Sequence, residues 1–395
     1  MPPEPSRSPA GPARVAWWRN ERVHRVLAQV VFLLAVIAVA GLLYANVRSQ
    51  LRARGLTTGY GFLYGQAGFP IGEGIEYHEG DPYWYAFLVG VVNTIRVSFF
   101  GIVLATILGT FTGIARLSSN WLLSKLAGAY IEIIRNIPLL IQLVFWYFAV
   151  ILQLPGVKES VVLPGSIFLS NRGTALPLLA PTAAFSAWLP FAAAGLVLAP
   201  LLWRWRMRRQ ELTGRPGRGL VWAGGALLGL PALGWLVAGQ PFLVELPEMG
   251  GFNYEGGLIL TPEFTAVLIG LTVYTAAFIA EVVRAGIQAV HVGQKEAARA
   301  LGFHPGQTLR LVILPQSVRV IIPPLISQYL NLAKNSSLAV AAGFPDLFSV
   351  AQTIFNQTGR SVEVIGLVMG SYLAMSLFTS LVLNLYNRRV RLVER

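Results

Sequence analysis

The side chains able to do chemistry in this 395-residue chain are few, and their spacing excludes most enzymes. His24, His78, His291 and His304 do not fall at metal-ligand spacings, there is no HExxH or GxSxG run, and Asp81 and Asp346 are the only aspartates. No GxxxxGK[ST] loop is present to cradle nucleotide phosphates, so ATP hydrolysis by that route needs another chain. The absence of cysteine excludes disulfides and thiolate metal sites. What remains is polar chemistry in apolar surroundings. Asn331, Lys334 and Asn335 share one helical face, with Ser336 and Ser337 beside them. Placing a lysine at the centre of a membrane helix costs roughly 2.5–3.5 kcal/mol, so Lys334 should face water or a partner. The face could line a route for a solute bearing a carboxylate. A polar seam between packed helices, or a lysine that snorkels to the interface, is the competing interpretation.

The second constellation is a polar island at 281–315, set between long hydrophobic segments. Its spacing predicts two short helices joined by a turn. Residues 294–301 are helix formers, Gly302 suits the C′ position in a left-handed conformation, Phe303 would fold back on Ala297 or Ala298, and Pro305 would open the next helix. Pro315 is expected to close the island. Ala297, Ala300 and Leu301 recur at spacings of three and four and give the first helix a small-residue face that another protein could approach. Glu132 and Arg135, three apart at the cytoplasmic end of the third span, could pair in a structural role.

The elements that must position these residues are membrane spans. The chain is 54% hydrophobic and only 12% charged, against roughly a quarter charged in soluble proteins. A net charge of +13 would suggest nucleic acid in a soluble protein, but here Arg residues sit in short runs beside hydrophobic segments. Residues 26–45, 84–115, 126–154, 183–203, 219–240, 262–283, 321–344 and 362–385 read as eight spans, with loops between them at 155–182 and 241–261. The first has too long an apolar core for a cleaved signal peptide. With the N-terminus inside, most of the 31 Lys and Arg residues fall in segments 1–25, 116–135, 204–218, 284–319 and 386–395. The positive-inside rule therefore predicts that both termini and the island are cytoplasmic.

Glu296-Ala297-Ala298, three residues, Gly302, nine residues, Val312, one residue and Leu314-Pro315 resembles the EAA loop of ABC importer permeases, although the pattern more often has Ile where Val312 stands. Gly90, Asn93-Thr94, Gly109, Gly113, Arg116-Leu117-Ser118, the stretch from Tyr130 to Leu140 and QYLNLAKNSSL at 328–338 are similar to the permeases of polar amino-acid importers. The long subunits of general L-amino-acid transporters are the nearest in form. The resemblance implies an all-α integral membrane protein with a five-helix permease core of the type I importer fold, in a bacterial inner membrane. It implies import of amino acids without a cofactor. Gln294, Glu296, Ala297, Ala298, Gly302, Leu314 and Pro315 would couple to a dimer of ABC ATPase subunits, and the Asn331, Lys334, Asn335 and Ser336 face would lie by the translocation path. A second permease subunit, a periplasmic amino-acid-binding protein and membrane lipid are the implied partners, with no nucleic acid.

The organisation that follows is a disordered basic tail at 1–25, an extra first span and outer loop at 26–83, and permease core at 84–154 and 262–385. These are separated by an insertion carrying two extra spans at 155–261, and a basic tail ends the chain at 386–395. An ion-coupled secondary transporter is the alternative, but it would show an internal repeat, and no duplicated half is visible. A non-transporting membrane scaffold is the third.

Overall fold

The computed structural model describes residues 21–53, 59–214, 217–251 and 253–390. It divides into two units, residues 1–63 and 64–395. In the first, helix α1 (Glu21–Ala53) carries the candidate span His24–Asn46. Residues 1–20 and 391–395, which hold most of the two expected tails, lie outside the described residues.

The second unit begins with a loop that leads into α2 (Tyr83–Arg116). The third expected span is broken. Helix α3 (Trp121–Asn136) and the segment starting with α4 (Leu139–Val144) meet at a bend of 105°. The cause is Pro138, which has no N–H and forces Ile137 into an extended conformation (φ −101°, ψ 128°). Gln142 repairs the break, its Nε2 donating to the carbonyls of Ile134 (2.8 Å) and Ile137 (2.9 Å). A π-helical turn (Phe145–Val150) continues the second arm.

The segments expected as loops on either side of the inserted pair carry short strands. β1 (Val161–Leu163), β2 (Ile167–Ser170) and β3 (Gly173–Leu176) form an antiparallel meander, followed by β4 (Leu178–Pro181). After helices α5 (Phe185–Thr213) and α6 (Gly219–Ala238) come β5 (Phe242–Glu245), β6 (Glu248–Met249), β7 (Tyr254–Glu255) and β8 (Leu258–Leu260). β8 pairs with β3 to complete the sheet β1-β2-β3-β8, with Thr174 opposite Leu260, and β5 pairs with β4. The two loops thus staple the insertion closed. The basic run is also partly helical: Arg204, Arg206, Arg208 and Arg209 form the last turns of α5.

α7 (Pro262–Gln288) is the central helix of this unit. Thr261 caps it by accepting from Phe264 N, with Pro262 at the first position, where a missing N–H costs nothing. Gly109 and Gly113 of α2 sit directly on the backbone of α7 at Ala276 and Ala280, where side chains would collide with the carbonyls. This close approach of small residues is how helices associate where water supplies no driving force. Phe264, Leu271 and Ile279 of α7, Leu143 of α4 and Phe344 form the core.

Beyond α7 come α8 (Val292–Ala300), a single turn α9 (Pro305–Gln307), a π-helical turn (Thr308–Ile313) and α10 (Leu314–Asn335). Pro315 does not close the island, contrary to expectation: it lies in the first turn of α10, and the helical path runs without interruption from Pro305 to Ala342. Pro315 has no N–H to donate, and the wide π turn just before it is the local departure from α geometry that accommodates the proline. α11 (Leu347–Thr358) and α12 (Ser361–Val390) complete the unit. Among the described residues, seven helices are long and apolar enough to cross a membrane, and the bent pair makes an eighth.

Candidate functional site

The sequence-predicted island folds around Gly302. The Gly302 N–H donates to Arg299 O (2.9 Å) and the Phe303 N–H to Ala298 O (3.0 Å), the paired bonds of a Schellman cap, with Gly302 at φ +80°. This left-handed conformation costs glycine nothing and a residue with Cβ about 1–2 kcal/mol. At the other end His291 caps α8 through Nδ1, accepting from Gly293 N (3.1 Å). Pro305 opens the next turn as its spacing predicts, with His304 at the cap and its N–H donating to Gln307 Oε1 (3.2 Å).

The two faces of α8 differ. α8 packs against the Thr308–Ile313 turn, and Ala298 is buried, whereas Glu296, Ala297, Ala300 and Leu301 are exposed, Leu301 to 76%. Gln294 is tied to α10 by the Gln316 amide (3.4 Å). At the foot of α7, Arg284 pairs with Glu281 and donates to Gln288 Oε1 (2.7 Å), fixing the point from which the loop departs. Leu314 and Pro315 lie at the start of α10, one π turn beyond the exposed face. The product is a rigid, capped helix presenting a small-residue ridge.

The second group separates into two. Asn331 and Asn335 line a cavity of about 290 Å³ with Gln328 of α10 and Tyr274, Thr275 and Phe278 of α7. Lys334 does not line it and is exposed on the adjacent surface. Ser336 is buried and donates to Ala333 O (2.9 Å), so its hydroxyl serves the helix end. Arg135 is not paired with Glu132: its guanidinium lies over the Phe278 ring, 5.1 Å from the centroid, which places it beside the same cavity.

A third cluster escaped the spacing argument. Arg96 of α2 pairs with Glu73 (3.1 Å), whose side chain is 6% exposed, and lies 5.6 Å from the Phe264 ring centroid. Asn93 donates to both Glu73 O and Pro345 O (3.0 Å each), and Thr94 Oγ1 accepts from Leu347 N (2.9 Å). Arg96, a charge within the apolar helix α2, is thus neutralised by the loop before that helix. The same loop, with Thr261, Glu263, Pro345 and Val350, borders a cavity of about 340 Å³. The only signal available was the cost of Arg96 in an apolar segment, which demands a partner without naming it.

The comparisons agree with this architecture. The family model described as "Binding-protein-dependent transport system inner membrane component" matches residues 220–395. The protein YhdX of Escherichia coli is 47% identical over 378 residues, covering 95% of this chain and 96% of its own. The general L-amino acid transport system permease protein AapQ of Rhizobium johnstonii is 44% identical, covering 95% and 94%. The glutamate/glutamine/aspartate/asparagine transport system permease protein BztB of Rhodobacter capsulatus is 40% identical, covering 95% and 96%.

Proposed function

The chain belongs to the amino-acid ABC transporter permeases, and from that premise we propose that it forms one half of an import path driven through the α8 loop by a separate ATPase. The observation that carries this assignment is the Schellman-capped α8, which buries Ala298 and turns Ala297, Ala300 and Leu301 outward. A docking ridge must transmit force without deforming, and a helix closed at both ends with one face seated meets that need. Gln294, Glu296 and Ala297 stand on the ridge, Ala298 seats it and Gly302 caps it, and Leu314 and Pro315 pass its displacement into α10. Residues 281–315 and both termini then face the cytoplasm of a cell whose inner membrane holds the protein, in keeping with the distribution of Lys and Arg.

The chain has no nucleotide-binding loop, so hydrolysis falls to the ATPase dimer. A second permease subunit closes the path, to which Asn331 and Asn335 contribute the cavity wall and Lys334 the neighbouring surface. Substrate arrives from a periplasmic binding protein, and the amide-rich wall suits the polar groups of an amino acid. The core comprises 84–154 and 262–385, with 26–83 and 155–261 as additions. Reconstitution tests this scheme: vesicles holding the permease pair should take up amino acid only with the ATPase, ATP and the binding protein. Uptake without ATPase would refute it.

A further inference from the structure

The inserted helices α5 and α6 form a closely packed hairpin. Trp188 Nε1 donates to Pro231 O (2.9 Å), and Gly195 and Gly234 let the helices meet where a side chain would collide. At its basic end, the Arg206 guanidinium lies 4.2 Å from the Trp222 ring centroid and 5.1 Å from that of Trp205, and Arg209 lies 4.5 Å from Trp205. The indoles hold both cations in place. Arg206 Nε is buried with no hydrogen-bond partner, and among the described residues neither Arg206 nor Arg209 has a carboxylate partner.

Trp222 also belongs to a second feature. A cleft of about 490 Å³ runs from it between the helices, lined by Leu198, Leu202, Val221, Gly225 and Gly229 and almost entirely apolar. Gly225 and Gly229 keep the cleft open, since nothing lies within 4 Å of where a Cβ would stand. From Trp222 to Gly229 the cleft extends about 10 Å along α6 at 1.5 Å per residue.

We propose that this is a binding site for one anionic phospholipid, its phosphate held by Arg206 and Arg209 and an acyl chain laid in the cleft. Charge complementarity selects the headgroup, because a guanidinium fork matches a phosphate and these two cations have no counter-charge among the described residues. The cleft selects a lipid over a free phosphate, since its lining is almost entirely apolar and both helices are candidate membrane spans. Indoles at the level of the headgroups and a basic patch beside them fit that boundary. Arg204 and Arg208, two positions to either side of Arg206, project from the opposite side of α5 and supply a control of equal charge.

The test uses the assembled transporter in vesicles of brominated phosphatidylglycerol or brominated phosphatidylcholine, reading tryptophan quenching, with Trp222→Phe to isolate the Trp222 signal. Trp222 should favour phosphatidylglycerol by about three-fold or more. Arg206→Gln with Arg209→Gln should bring that ratio to about one, while Arg204→Gln with Arg208→Gln keeps it. Gly225→Leu with Gly229→Leu, which fills the cleft and leaves every charge, should also abolish the preference. A preference that survives cleft filling, or falls equally in both arginine pairs, would show diffuse surface charge and overturn the site. Quenching by neither lipid would mean that protein covers the cleft, and would overturn it equally.

Discussion

Arg96 and Glu73 form a 3.1 Å ion pair that ties α2 to the loop preceding it, with the carboxylate almost fully withdrawn from solvent. A buried pair contributes little net stability but is costly to break from one side, at about 3–5 kcal/mol. Arg96→Leu alone should therefore lower the thermal midpoint of the purified transporter markedly. Arg96→Leu combined with Glu73→Gln should recover most of the loss. Additive losses in the double variant would show that the two groups do not act together.

Gly302 gives the second prediction. Nothing lies within 4 Å of a Cβ built there, so the cost of substitution is in the backbone and not in a collision. Asn visits the left-handed region at small cost, whereas a β-branched residue does not. Gly302→Asn should keep most of the uptake, while Gly302→Val should lose it with membrane insertion unchanged. The membrane fraction and vesicle uptake measured side by side check this, and equal uptake in the two variants would remove the cap from the mechanism.

The third prediction concerns the cavity between α7 and α10. Asn335→Leu removes an amide from its wall and adds bulk, so KM for amino-acid uptake should rise by about ten-fold or more, a loss of about 1.4 kcal/mol in substrate binding. ATPase assembly should be unaffected. Asn136→Ala is a useful control, because the Asn136 side chain bonds the Glu132 carbonyl of its own helix (2.7 Å) and does not line the cavity.

The spans were legible in the sequence because a run of about twenty apolar residues has few alternatives in water. The Gly302 cap was legible too, since a glycine followed by an aromatic and a proline has a narrow set of local geometries. The break at Pro138 was present in the letters, yet continuous hydropathy on both sides hid it. The strands at 161–181 and 242–260 escaped because each is four residues or fewer, and because β3 with β8 and β4 with β5 pair across the inserted helices, as Thr174 does with Leu260. Arg96 announced that it needed a counter-charge, but Glu73, 23 positions earlier, shares no periodicity with it. The face of Asn331, Lys334 and Asn335 was drawn correctly as a helix and too broadly as a cavity lining, because spacing cannot say which part of a face meets α7.

An ATPase that drives transport through the ridge on α8 must cover that surface from the cytoplasm, and the absence of native cysteine makes this cover directly measurable. In Ala297→Cys, a membrane-impermeant maleimide should label inverted vesicles and not right-side-out cells, and the assembled ATPase should slow labelling by about ten-fold or more, the occlusion expected of a contact at the centre of an interface. Labelling from the outer side, or at the same rate with and without the ATPase, would show that no ATPase docks on this ridge from the cytoplasm.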